Sequence, residues 1–243
     1  MNIDWLERTR LLVEDENLIK LKNANVLVVG LGGVGAMAAE MICRAGVGKM
    51  TIVDGDAVEV TNRNRQLPAL TSTIGIPKAE VLQQRFKDIN PELELTVYNE
   101  YICDNRTLEL LESQPYNYVV DAIDTLSPKV FLIYHSIQKG LKIVSSMGAG
   151  GKLNPAQVRA TDLSATYNCK LARMIRKRLS KLNIRNGVQV VFSSELVNPK
   201  TVRHEESVNK KSTVGTISYM PAVFGCFIAS IVITDLIKSE SCN

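Results

Sequence analysis

The sequence has no C-x-x-C pair, although it has five cysteines, Cys43, Cys103, Cys169, Cys226 and Cys242. An odd count without paired spacing excludes a disulfide framework and a cysteine-built zinc cluster, and it fits a reducing, cytoplasmic setting. The stretch from Met1 to Arg10 carries acids and no apolar core, so it does not read as a secretion signal. No apolar run long enough to span a membrane is free of breakers. The longest, Tyr219–Ile237, contains Pro221, Gly225, Ser230, Thr234 and Asp235, and reads as a buried helix rather than a membrane span. Internal repeats and low-complexity segments are missing too. Net charge is small, +4 from 29 basic and 25 acidic side chains, so the chain as a whole is no polycation.

What is present is enough apolar material, 45% of 243 residues, for one well-filled domain. The charge is unevenly spread. Residues 1–160 carry 17 basic and 19 acidic side chains, and residues 161–243 carry 12 and 6. This divides the chain into a core over 1–160 and a basic part over 161–243 that continues the same domain. A bound polyanion belongs on the second part.

Apolar runs and helical periods alternate through the core. Residues 26–29 form a short apolar run ending at Gly30, and 33–45 read as a helix of small residues ended by Gly46 and Gly48. A second run, 50–53, closes on Asp54. Residues 55–76 lack a period, and Pro77 opens a helix to about Ile89. Residues 93–98 alternate like a strand, Asp104 is placed to cap a helix through Leu111, and 118–122 form a strand. A helix over 128–139 and a strand over 142–146 follow. Strands alternating with helices of this length predict an α/β fold, a doubly wound, mostly parallel, Rossmann-like sheet. The C-terminal extension is less regular, with a strand near Val158, a helix over 170–182, a strand over 188–192 and the closing helix. Cys43 and Cys226 sit among apolar residues and read as buried packing.

Gly30, Gly32, Gly33 and Gly35 form G-x-G-x-x-G directly after a strand and at the start of a helix. Glycine allows the tight turn and the close approach of backbone to phosphate, and the helix N-terminus adds free N–H groups. Asp54, 24 residues after Gly30 at the end of the next strand, is where an acid binds ribose hydroxyls. The loop alone does not separate NAD from ATP. The segment after it does more. Asp56, Asn62, Arg63, Asn64, Arg65 and Gln66 follow within twelve residues. Arginine there neutralises phosphate charge in an ATP-cleaving site and has no purpose in a nicotinamide-dependent oxidoreductase. Lys78 lies at a second helix start. Asp124, just past the end of a strand, is placed to hold Mg²⁺ against phosphate oxygens.

With these pieces together, Gly30–Gly35, D-x-D-x-V-x-x-x-N-x-N-R-Q from Asp54 to Gln66, Lys78 and Asp124, the sequence resembles the ubiquitin-activating-like (ThiF/MoeB/HesA) superfamily. The resemblance implies ATP as cosubstrate, with Asp54 on the ribose, Asn62 and Arg65 on the phosphates, Lys78 on the nucleotide and Asp124 on the metal. It also implies a homodimer in which an N-terminal arginine reaches the partner's ATP. Arg8 best matches that arginine, and Arg10 is the alternative.

Within the superfamily the chain is similar, nearly end to end, to the branch that dehydrates threonylcarbamoyladenosine in tRNA. The matching pieces are Val120–Asp124, Pro128-Lys129, Gly148–Pro155, Asp162-Leu163, Leu171–Arg173 and Met220–Gly225. Glu14 departs from the pattern, standing where relatives usually place glycine, and 183–216 match only loosely. That branch implies adenylation of the modified base's carboxylate, then ring closure by a nitrogen or oxygen of the same group, with AMP and pyrophosphate released. No enzyme nucleophile is required, which agrees with the missing zinc cysteines and the lack of an obvious catalytic thiol. Adenylation of a small ubiquitin-like sulfur carrier is the alternative. A sulfur-handling partner, and a monovalent cation at the Gly148–Gly151 loop, are left open.

The basic part supports an RNA substrate. Lys170, Arg173, Lys177, Arg178 and Lys181, with Arg185, fall on one side of a helical projection, and Leu171, Ile175, Leu179 and Leu182 on another. A cationic outer face of this kind fits a tRNA backbone.

Overall fold

The computed structural model describes residues 4–204 and 212–238. Its centre is β1 (Asn25–Val29), an apolar strand buried at every position. Such a strand must be covered on both faces, which is the signature of a parallel sheet between helical layers. It pairs in parallel with β2 (Lys49–Val53) on one side and β4 (Tyr118–Asp121) on the other. Adding β3 (Glu94–Tyr98), β5 (Ile143–Ser146), β6 (Val158–Asp162) and β7 (Gln189–Ser193) gives, among the described residues, a seven-stranded sheet of order β3-β2-β1-β4-β5-β7-β6. Only the last pairing, β6 on β7, is antiparallel. The order reverses between β1 and β4, so the carboxyl ends of these strands open a crevice there.

Alternation along β1 divides the core in two. Val26 and Val28 face one layer, with α2 (Gly33–Arg44), α3 (Lys78–Ile89) and α7 (Tyr219–Ile237), and pack with Ile42, Phe86 and Phe224. Leu27 and Val29 face the other layer, with α4 (Asp104–Glu112), α5 (Leu126–Gln138) and α6 (Lys170–Lys181), and pack with Leu110, Ile133 and Ile175. Residue 160 falls inside β6, so the basic part begins within the sheet. Its remaining strands, β8 (Val202–His204) and β9 (Ser212–Val214), form a separate antiparallel pair with no counterpart in the sequence reading.

Three local readings change. Helix α4 begins at Asp104 itself, and Cys103 occupies the cap position. Helix α7 is buried on one face, through Met220, Phe224, Ile228, Ala229 and Val232, and lies against α2. Its other face is open, so Cys226 is exposed and not buried packing, because a 3.6-residue period turns it away from α2. The contact with α2 is close enough to demand glycine. A β-carbon on Gly225 would stand 2.7 Å from the Val34 carbonyl oxygen.

The N-terminal helix α1 (Glu7–Asn23) is broken at Glu14, where φ is 68° and ψ is 164°. This is a region that residues with a β-carbon avoid, at a cost of order 1–3 kcal/mol. The departure from glycine noted above therefore has a backbone consequence. Glu14 is exposed, so its side chain recovers little by packing. Glu14→Gly is expected to raise the unfolding free energy by about 1 kcal/mol, since glycine's extra freedom in the unfolded chain offsets part of the relief. Urea denaturation of the two proteins measures it, and a less stable glycine variant would refute the strain.

Candidate nucleotide site and basic face

The four loop glycines have different tasks. Gly30 has a φ of +89°, and a β-carbon on it would lie 2.7 Å from the Ala122 carbonyl oxygen. One on Gly35 would lie 1.7 Å from the Gly30 carbonyl oxygen, and one on Gly33 2.8 Å from the β-carbon of Pro221. These three serve the close packing of α2 on β1, β4 and α7. Gly32 is different. Its missing side chain faces open space, with only Gln66 Nε2 near, at 3.8 Å. Gly32 is also the cap residue of α2 and offers no side-chain hydrogen bond to the first turn. The unpaired N–H groups of that turn, with the helix dipole behind them, suit an anion seated over Gly32.

Asp54, at the end of β2, ties this loop down. Its Oδ2 accepts from Leu31 N–H at 2.6 Å and its Oδ1 from Asp56 N–H at 2.7 Å. Burial raises its pKa above the usual carboxylate value, although nearby Lys78 and the two backbone donors pull the other way. A carboxylate so placed gains from a ligand hydroxyl donating to its remaining lone pairs. Lys78 is buried at the start of α3, and its ammonium contacts Asp56 Oδ2 at 2.7 Å. Tyr101, past the end of β3, is exposed, donates its hydroxyl to Asp56 and lays its ring against Gly55. That hydrogen bond pushes the tyrosine up to about 12.

The segment between Asp54 and Lys78 is held by its own polar groups. Asn62 is buried, and its Oδ1 accepts from Glu59 N–H at 3.2 Å. Arg65 is half-buried and donates to the Thr61 carbonyl and Asn64 Oδ1, each at 2.9 Å. Gln66 reaches toward Gly32, and its buried Oε1 has no partner. An orphaned buried oxygen costs about 1–3 kcal/mol, so one beside an open cradle points to a ligand donor or water. Asp124 is exposed in the loop between β4 and α5. Among the described residues no three His, Cys, Asp or Glu side chains are grouped to cage a metal. A single exposed carboxylate two residues past Ala122, whose carbonyl lies against Gly30, fits Mg²⁺, which takes one or two carboxylates and fills its shell with phosphate oxygens and water.

The fold therefore gathers Gly30, Gly32, Gly33, Gly35, Asp54, Asp56, Asn62, Arg65, Lys78 and Asp124 about the carboxyl rim of β1, β2 and β4. Arg8 is outside this group, exposed on α1. On α6 the five basic residues Lys170, Arg173, Lys177, Arg178 and Lys181 are all exposed, over a buried face of Ala172, Ile175 and Leu179. Arg178 Nη1 donates to Ser127 Oγ at 2.7 Å, which sets the basic face against the first turn of α5, three residues past Asp124. Arg176 turns inward to the Thr166 carbonyl at 2.8 Å. The Gly148–Gly151 loop is held by protein contacts, Gly151 N–H on the Gly215 carbonyl at 2.7 Å and the Val197 and Val214 side chains around it.

A ThiF family profile matches residues 6–242. The chain belongs to the ThiF family. A tRNA threonylcarbamoyladenosine dehydratase of Bacillus subtilis (strain 168) is 38% identical over 239 residues, covering 95% of this chain and 94% of that one. The crystal structure of the Escherichia coli tRNA N6-threonylcarbamoyladenosine dehydratase, TcdA, with ATP superposes with a TM-score of 0.87 at 34% identity, covering 97% of this chain and 94% of that one. Its complex with AMP superposes with a TM-score of 0.88 at 33% identity, covering 97% and 95%. The α/β fold with its mostly parallel sheet is that of these ThiF-family structures. Gln66, named in the sequence as the last residue of the Asp54–Gln66 segment, lies beside Gly32. Sequence reasoning missed Tyr101 over Gly55 and the Arg178–Ser127 contact, which left no trace in the sequence.

Gly32→Ala is expected to fold normally and to weaken ATP binding about tenfold or more, because its methyl group enters the cradle. Gly35→Ala, with its β-carbon inside another residue's carbonyl, is expected to lose the native fold. Circular dichroism with ATP titration separates the two, and wild-type ATP affinity in Gly32→Ala would remove the phosphate from that position.

Proposed function

We propose that the protein is an ATP-dependent tRNA threonylcarbamoyladenosine dehydratase. The observation that carries this reading is likeness to the dehydratases over nearly the whole chain, with a position open to a ligand at Gly32, on the loop that Asp54 holds. ATP lies with its phosphates over the first turn of α2 and its ribose on Asp54. Asn62 and Arg65 serve the phosphates, and Lys78, through Asp56, stiffens the ribose end. Asp124 holds Mg²⁺, which when bound neutralises the pyrophosphate that leaves.

The carboxylate of N6-threonylcarbamoyladenosine attacks the α-phosphorus and pyrophosphate departs. The carbonyl carbon is then an electrophile, since AMP leaves far more readily than oxide. A nitrogen or oxygen of the same modification closes the ring and expels AMP, with net loss of water from the nucleoside. Attack within one group makes positioning a large part of the rate. Arg65 supplies positive charge where negative charge grows on phosphorus.

Two further parts belong to this reading. The basic face of α6 holds the tRNA backbone, supported by its contact with Ser127 at the metal rim. A homodimer completes the site with Arg8 from the second copy. Its support is an apolar, open face on α1, where Leu11 is 74% and Leu12 84% exposed beside Arg8. Arg10 is engaged by Glu7 at 3.3 Å and Asp15 at 3.7 Å on its own helix, which favours Arg8 for the task. A cytoplasmic setting is supported by the free thiols Cys43, Cys103, Cys169 and Cys226.

The test is mass spectrometry of nucleosides from tRNA carrying threonylcarbamoyladenosine, after incubation with the pure protein and Mg·ATP. Loss of one water from that nucleoside, dependent on ATP and abolished in Arg65→Ala, is the expected result. No change, with ATP–pyrophosphate exchange only when a carrier protein ending in Gly-Gly is added, would move the protein to carrier activation. Lys177→Glu with Lys181→Glu is expected to weaken tRNA binding at least tenfold, lower its salt slope by about two, and leave ATP affinity intact. Filter binding across a salt series reads this, and an unchanged slope would remove α6 from the interface.

A further inference from the structure

Between Asp121, the last residue of β4, and Lys129, in the first turn of α5, lies a four-residue loop, 122–125, with Asp124 on it. The two ends are joined by an ion pair of 2.8 Å between Lys129 Nζ and Asp121 Oδ2, and both side chains are fully buried, at 0% exposure. Ser145 Oγ, from β5, donates to the same oxygen at 2.6 Å. The other oxygen, Oδ1, accepts from Ile123 N–H at 3.1 Å, one residue before Asp124. On the far side of the same turn, Ala122 N–H donates to the Val29 carbonyl at 2.8 Å, and the Ala122 carbonyl lies against Gly30. No group in the reaction proposed above uses Lys129 or Asp121.

We propose that Asp121, Lys129 and Ser145 are positioning residues that hold the Asp124 turn at the height of the phosphate cradle. This rests on the dehydratase reading, and in particular on Asp124 as the carboxylate for Mg²⁺. A metal held by one protein oxygen is sensitive to small displacements of the loop that carries that oxygen, and the ion pair joins the strand and the helix on either side of the 122–125 loop. The closure must be buried to be rigid. A buried carboxylate takes this place only with a full set of donors, here an ammonium, a hydroxyl and a backbone N–H.

The test uses Asp121→Asn/Lys129→Met, which removes both charges and leaves no buried ion unpaired, and Ser145→Ala, which removes one donor. Three quantities are measured on the full chain, the affinity for AMP without metal, the gain in ATP affinity on adding Mg²⁺, and the rate of dehydration of the modified tRNA. The expected result is AMP affinity within about twofold of wild type. With it, the Mg²⁺ gain is lost and the rate falls at least tenfold in the double variant and about threefold in Ser145→Ala. An unchanged Mg²⁺ gain and rate in folded variants would overturn the proposal. So would a parallel fall in AMP affinity, which means general damage. If the double variant does not fold, Ser145→Ala decides by the same criteria. A wild-type protein that dehydrates nothing refutes the dehydratase reading instead, and the Mg²⁺ gain in ATP binding still tests the positioning role.

Discussion

The backbone of Gly30 lies so close to that of Ala122 that a side chain on Gly30 has no room, and the site is organised around this approach. It joins the carboxyl ends of β1 and β4 at the point where the sheet reverses order. Gly35 brings α2 onto the same spot, and Gly33 and Gly225 let α7 lie over α2. Four glycines thus stack the backbones of β1, β4, α2 and α7 at the rim, at an entropic cost that the apolar core on either side offsets. Gly32 remains open because nothing in the protein needs its space.

Polar groups then hold this narrow stack in place, each with its partners built in. Asp54 uses both oxygens on backbone N–H groups of the loop it supports. Asp121 uses both on Lys129, Ser145 and Ile123. Removing Lys129 alone would leave a buried charge, a defect of about 3–5 kcal/mol, so the pair is an all-or-none device. Around these rigid points lie exposed groups, Asp124, Tyr101 and the cations of α6. Buried, fully partnered groups and exposed polar ones are thus separated, with the turn from Asp121 to Lys129 spanning the boundary.

Much of the fold was legible because its signals are local. An unbroken apolar run such as 26–29 has one economical use in a chain of this composition, and alternation with helical periods leaves few topologies. The G-x-G-x-x-G turn and the Asp54 to Gln66 segment were legible for the same reason, since adjacent residues do adjacent work. The exposure of Cys226 was not, because composition cannot say which side of an apolar helix meets a neighbour. Glu14 shows the intermediate case. Its departure from glycine was visible, but only the φ of 68° makes that departure a strain.

The sequence by itself determined the sheet, the phosphate-binding turn, the acids at strand ends and the amphipathic character of α6, all set by residues within a few positions of each other. Tertiary structure decided which loop glycine faces open space, that Lys78 lies on Asp56, that Arg178 lies on Ser127, and that Asp121, Lys129 and Ser145 meet in the core. Separations in sequence there run from 8 to 51 residues. Pairing across such distances depends on how layers pack, and packing is a property of the whole chain that no short pattern encodes.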